Sequence, residues 1–380
     1  MLLVAEPGLG AEEILALAEV INSGWITMGD RVREFECAFA AAHQVADAVA
    51  VSSCTAGLHL AIEGLGLGPG DEILVPSLTF AATVNCVIYA GATPVFVDIG
   101  SLDMPHISPE DAAAKCTAKT KAVIAMHYAG YLVDREAWRE FADSRSLFLI
   151  EDCAHAAGVS DGGELADAAV FSFYGNKNMT TAEGGMVFAR DPGVRDRIRQ
   201  MRSHGMTSGT SQRRSSGEVT YDITSLGYNY RMDELRAAIG LVQIQKLGRW
   251  NERREALTRA YRRLLAAQCS NVSMPFPGLR SSAHHILPVI LPKGTDRRCT
   301  SGRLWRLGIQ TTVHYPPVHR FSWYRSRFPS TRLPVTEEFS DRELTLPLHP
   351  KLEEHEVEFV VRALSDVLGT ETLHDDLLCS

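Results

Sequence analysis

The chain has 380 residues, 45% hydrophobic and 22% charged, with 30 Gly and 17 Pro. That length suggests two or three domains, or one large domain with an appendix, and the apolar fraction excludes disorder and collagen-like repeats. Against 46 acidic residues stand 38 basic ones, a net charge of −8, the wrong sign for a sequence-independent nucleic-acid binder.

Up to about residue 200, short apolar runs alternate with helical patterns. Strands are predicted over 47–52 (DAVAVS), 72–76 (EILVP), 94–98 (PVFVD), 121–126 (KAVIAM), 147–151 (LFLIE), 168–173 (AAVFSF) and 185–189 (GMVFA). Several are apolar nearly throughout, as strands covered on both faces are. Helices are predicted between them over 56–65 and 79–89, and the alternation predicts a mainly parallel α/β sheet. Residues 195–218 carry six Arg with many Ser, Gly and Gln, and predict an exposed helix followed by a loop. Leu235, Ala238, Ile239 and Val242 share one helical face, opening a long linking helix over about 232–266. Fewer strands follow, over 285–291 and 311–315, then a helix over 353–368 and a polar tail from 369. The division expected is 1–245, a large α/β domain, and 246–380, a smaller α+β domain.

No run approaches the roughly 20 apolar residues of a membrane span. The N-terminus lacks a basic region, and Glu6 interrupts its apolar run, so neither a signal peptide nor a membrane partner is expected and the location expected is the cytoplasm. The eight cysteines include no C-x-x-C pair, so zinc ribbons and redox motifs are not expected. His314 and His319 flank Tyr-Pro-Pro-Val without a carboxylate or cysteine nearby, and no metal is expected. P-loop, nucleophile-elbow and H-E-x-x-H signatures are absent, and the glycine-rich run 64–70 reads as a loop.

Chemistry concentrates in residues 151–185. A predicted strand ends at Glu151-Asp152, on the carboxyl edge where open α/β sheets bind ligands. Lys177 follows the next strand in a polar loop. A lysine there is ordinarily a solvated charge. Held close to the sheet edge in a partly dry pocket, it suits Schiff-base chemistry instead. A lysine for the aldehyde and a carboxylate for the ring nitrogen are what pyridoxal phosphate requires, and the residues alone leave both readings open.

Segments 24–29 (GWITMG), 53–60 (SCTAGLHL), 76–98, 127–134 (HYAGYLVD), 151–158 (EDCAHAAG), 171–185, 204–206, 227–247 (GYNYRMDELRAAIGLVQIQKL) and 314–319 (HYPPVH) run in one order along nearly the whole chain. In them the sequence resembles the DegT/DnrJ/EryC1/StrS family of pyridoxal-phosphate-dependent aminotransferases, most of which act on nucleotide-linked keto sugars. The resemblance implies a fold-type I architecture and a homodimer with shared active sites. It implies L-glutamate as donor in a ping-pong cycle, with a nucleotide-linked keto sugar as acceptor. Lys177 matches the Schiff-base lysine, which also moves the donor's Cα proton. Asp152 matches the partner of the pyridine nitrogen, and Phe80 the aromatic stacked on the ring. Cys54, Thr55 and Ser172 match the phosphate site. His155 matches a residue near the phenolic oxygen. Asn229 matches one reaching the neighbouring subunit's phosphate site, with Arg231 stiffening its loop.

Three departures stand out. Ser53-Cys54-Thr55 replaces Ser-Gly-Thr, which is tolerable if Cys54 has a negative φ. Ala182-Glu183-Gly184-Gly185 replaces Gly-Glu-Gly-Gly, a small-for-small change. His127-Tyr128-Ala129-Gly130 lacks an aromatic at Ala129, which is expected to reshape the substrate side of the pocket. Dehydratase relatives carry histidine at the lysine position, and Lys177 argues against that activity. The alternatives kept are a keto-cyclitol acceptor of the scyllo-inosose type and a cofactor-binding paralogue without turnover.

Overall fold

The computed structural model describes residues 1–159, 163, 165–209, 213, 217, 219–278 and 281–369. Helices α1 (Ala11–Ser23) and α2 (Asp30–Ala42) come first. Strand and helix then alternate through β1 (Val49–Val51), α3 (Cys54–Gly64), β2 (Glu72–Pro76), α4 (Ala81–Tyr89), β3 (Thr93–Val97), α5 (Pro109–Lys115), β4 (Thr120–Met126), α6 (Arg135–Asp143) and β5 (Phe148–Asp152). Two strands, β6 (Ala168–Ser172) and β7 (Gly185–Ala189), precede α7 (Pro192–Met201).

The strands join in the order β1-β7-β6-β5-β4-β2-β3. Only β7 runs antiparallel to its neighbours, so the sheet is mainly parallel, as expected. The period-2 pleat sorts the apolar runs onto two faces. Val49, Val51, Ile73, Val75, Ala122, Ile124 and Val170 share a core with Leu58, Ile62, Val84 and Ile198 of α3, α4 and α7. On the opposite face Ala50, Ala169 and Phe171 meet Phe35 and Phe39 of α2, while Leu74, Val123 and Leu149 meet Trp138 and Phe141 of α6. Full burial of Phe35 and Phe39 contributes about 1.5–3 kcal/mol each. The near-continuous apolar runs follow from this two-sided cover.

The expected long helix is α8 (Glu234–Gln268), begun by Asp233, whose side chain accepts from Arg236 N–H. Its first half packs Ala237 and Leu247 into the α2 core. The second half packs Leu257, Tyr261 and Leu265 against β8 (Leu287–Ile290), α9 (Arg297–Arg306), β9 (Glu343–Leu346) and α12 (Glu354–Gly369). Before β9 lie α10 (Ser322–Arg327) and α11 (Pro334–Arg342). Strands β8 and β9 form an antiparallel pair.

Two expectations fail here. Residues 311–315 are no strand: they touch β9 through one bridge, Thr312 to Thr345, because Pro316 and Pro317 lack the N–H groups a ladder needs. The partner of β8 is β9, a strand that the sequence pattern does not predict. His284 and His285 precede β8, and His284 has φ +47, outside strand geometry. The tail from 370 lies outside the described residues. Among the described residues no helix is long and apolar enough to cross a membrane.

Candidate active site

Five strands end at one cavity of about 430 Å³, a size typical of small-molecule sites. Asp152 closes β5 and Ser172 closes β6. Thr55 follows β1 in the first turn of α3, Phe80 precedes α4, and Met126 closes β4. All of them line the cavity with Cys54, His155, Lys177, His314 and Tyr315.

Asp152 is buried. Its Oδ2 accepts from Thr83 Oγ1 at 2.7 Å and its Oδ1 from Ala154 N–H at 3.1 Å. Burial raises its proton affinity, opposed by those two bonds and by Lys177. Lys177 sits in the turn after β6, its N–H bonded to Tyr174 O. Desolvation of its ammonium brings the pKa down to about 8, against the pull of Cys54 and Asp152. An amine half-deprotonated near pH 8 can act as nucleophile and base, which a solvated lysine cannot at neutral pH.

Ser53 caps α3 by accepting from Ala56 N–H at 3.1 Å. Cys54 is the first helical residue, which meets the negative-φ condition. The first N–H groups of a helix have no carbonyl a turn earlier, and with the helix dipole they favour an anion. Gly185 is required beside them, since a Cβ there would lie 2.8 Å from Cys54 N and from Ser53 C. Ser172 Oγ accepts from Tyr174 N–H, leaving its own proton for a ligand. Phe80 is 61% exposed although it is a large aromatic at the cavity, so it is no core residue.

His155 Nε2 meets Tyr315 Oη at 2.8 Å, while its buried Nδ1 has no partner among the described residues. Asn229 is exposed and outside the cavity lining, tied to Ser203 through a bridge. Arg231 bridges to Val51 at the β1 end, which anchors the loop carrying Asn229. Ala129, expected at the substrate side, is instead buried in a core cluster with Leu78, Tyr128 and Phe276. His314 and His319 do not converge: His314 Nδ1 meets Thr345 Oγ1, and His319 lies between Ser77 and Glu337.

The sequence reading missed Thr83, His285 and Tyr315. Thr83 carried a faint signal, since Thr79 and Thr83 share one side of an otherwise apolar helix start. A larger cleft of about 710 Å³ is lined by Arg33, Glu36, Asp47, Arg199 and Arg202. Those charges already pair with one another, so the chemistry belongs to the smaller cavity. The smaller cavity's donor set fits pyridoxal phosphate: a buried carboxylate, a weakly basic lysine, a helix N-terminus with a free hydroxyl proton, an exposed aromatic face and an orphaned imidazole nitrogen.

Solved structures share the fold along nearly the whole chain. PseC of Helicobacter pylori, an aminotransferase involved in the biosynthesis of pseudoaminic acid, matches with TM-score 0.90 at 28% identity, covering 97% of this chain and 99% of its own. The aminotransferase TlmJ of Streptoalloteichus hindustanus gives 0.89 at 33%, covering 98% and 100%. DesI, solved in the presence of its TDP-sugar product, gives 0.86 at 30%, covering 98% and 94%. Fold and site together define a pyridoxal-phosphate-dependent aminotransferase of fold type I. A model of the DegT/DnrJ/EryC1/StrS aminotransferase family matches residues 7–365, and the chain belongs to that family.

Proposed function

We propose that this enzyme moves the amino group of L-glutamate onto the keto carbon of a nucleotide-linked keto-deoxysugar, by a ping-pong cycle in a cytoplasmic homodimer with shared active sites. The observation that carries the chemistry is the convergence of Lys177 and Asp152 on one cavity at the carboxyl edge of the sheet. The acceptor class draws its support from the likeness to DesI, solved with a TDP-sugar. The division into 1–245 and 246–380 is supported by two apolar cores that meet along α8.

In this reading Asp152 would hold the ring nitrogen, with Phe80 available to the ring face and His155 to the phenolic oxygen. The first turn of α3 at Cys54 and Thr55 holds the phosphate with Ser172, and Asn229 completes the partner's phosphate site. When bound, pyridoxal phosphate supplies an electron sink that makes the donor's Cα–H acidic. Lys177 would hold the cofactor in the resting enzyme, and its free Nζ would take the donor's Cα proton. It later returns a proton to the acceptor carbon.

An absorption spectrum before and after adding L-glutamate tests this. A visible band that glutamate bleaches, absent in Lys177→Ala, is expected. A band in Lys177→Ala as in the wild type would overturn the lysine assignment, and a band indifferent to glutamate would overturn the donor. The bleached enzyme is then offered nucleotide-linked keto sugars and scyllo-inosose; return of the band with only the cyclitol would overturn the sugar acceptor.

A further inference from the structure

Behind Lys177 lies a chain of side chains that the cofactor assignments leave unused. Asn251 on α8 donates from Nδ2 to the backbone carbonyl of Ala157 at 2.9 Å. A carbonyl can only accept, so Asn251 must present its Oδ1 in the other direction. There it receives Asn178 Nδ2 at 2.7 Å, whose second proton goes to Ala283 O at 2.6 Å. Asn178 is thereby left with Oδ1 as its free face, and that oxygen meets His285 Nδ1 at 2.8 Å. An amide oxygen there requires His285 to carry its proton on Nδ1. The remaining nitrogen, Nε2, is an acceptor, and it stands 3.4 Å from Lys177 Nζ.

The ring has little freedom to turn. His285 N–H donates to Ala129 O, its carbonyl accepts from Arg254 Nη1, and the His155 ring packs against it with centroids 4.3 Å apart. His285 is 2% exposed.

We infer that His285 is a positioning residue for Lys177: two backbone carbonyls, read through Asn251 and Asn178, fix its tautomer so that an unprotonated Nε2 accepts from the lysine amine and fixes where that amine stands at the cavity wall. The inference rests on Lys177 being the cofactor lysine. A neutral acceptor stabilises the ammonium more than the amine, so His285 opposes the desolvation that drives the lysine toward its free base. Other groups facing the amine are Asp152 from β5 and Cys54 from α3, both favouring its charge, with His155 and His314 on the remaining sides.

The test is a pH series of covalent amine labelling on the full-length, cofactor-stripped chain, with labelling at Lys177 read by peptide mass spectrometry. In the wild type the midpoint is expected at about 8. His285→Leu, which keeps bulk but offers no acceptor, should move the midpoint down by about one pH unit. His285→Gln, whose side-chain oxygen can take the place of Nε2, should restore it. An unmoved midpoint in a folded His285→Leu protein would overturn the inference. Should the variants not fold, nitrogen-15 NMR of the wild-type histidines decides without them: a neutral His285 protonated on Nδ1 is expected, and one protonated on Nε2 overturns the proposal. Failure of the underlying reading shows separately, as a wild-type protein that takes up pyridoxal phosphate without a visible band.

Discussion

Ala182 sits at φ +68 in the turn between Lys177 and Gly185. In the left-handed region a Cβ costs about 1–2 kcal/mol, while a glycine gives back about 0.4–1 kcal/mol through its freer unfolded chain. What reads in sequence as a small-for-small change is therefore a strained one. Ala182→Gly should stabilise by about 0.5–1 kcal/mol, read as a higher urea midpoint with unchanged slope. The reverse change at Gly185 has no such tolerance, since a Cβ would push on the backbone of Ser53 and Cys54. Gly185→Ala is expected to weaken uptake of pyridoxal phosphate, measured by titrating the stripped chain, with a smaller effect on folding. Residue chemistry explains why Asp152 could be found in the sequence, as a carboxylate ending an apolar strand where charge has few structural uses, whereas Lys177, in the polar loop after β6, needed the family resemblance to be told from a solvated charge. His285 could not be found in that way. Its partner lies 108 positions away, and its meaning depends on which nitrogen carries the proton, which only the contacts of Asn178 and Asn251 settle.

Between the strands and their covering helices, one buried ionic cluster ties three elements together. Glu151 of β5 is fully buried, with Arg135 of α6 at 2.9 Å and His127, just past β4, at 3.3 Å. Val133 N–H donates to His127 Nδ1, so the proton of the neutral ring lies on Nε2, toward the carboxylate. Arg135 and His127 hold the Glu151 carboxyl below its usual range against its burial. Arg135→Leu would strip the carboxylate of its permanent cation in a dry site, and a loss of about 3–5 kcal/mol is expected in urea unfolding at neutral pH. A change under 1 kcal/mol would mean that His127 and Gly163 N–H, which also reaches Glu151, satisfy it without the arginine. The elements themselves were largely legible. Strands β2 and β7 fall on the predicted residues and the others within a residue or two, because two-sided burial writes an unbroken apolar run. Strand β9 was not legible, since Glu343–Leu346 is four residues with a charged and a hydroxyl side chain, all buried by partners far off in sequence. The 311–315 segment misled for the opposite reason: its β-branched residues suggest a strand, while the two prolines behind it stop the ladder.

For the molecule as a whole, the exposed apolar side chains point to a missing partner. Val219 is 91% and Leu226 79% exposed, with Tyr221 and Ile223 between them, and the same stretch leads into Asn229. Runs of this kind are costly in contact with water and mark an interaction surface. Covering by a second copy would account for both the apolar run and an Asn229 that lies outside its own chain's cavity. Sedimentation should then give a dimer that Leu226→Asp weakens. A sharper experiment uses two dead proteins. Lys177→Ala removes the amine from a site, and Asn229→Asp places a negative charge where a phosphate is expected. If sites are shared, a mixed dimer carries one site with both defects and one with neither, so co-expression of the two variants should restore glutamate-dependent bleaching that neither shows alone. No recovery, in a sample shown to contain mixed dimers, would mean that Asn229 serves its own chain's site. The apolar run would then need an explanation unconnected with the chemistry.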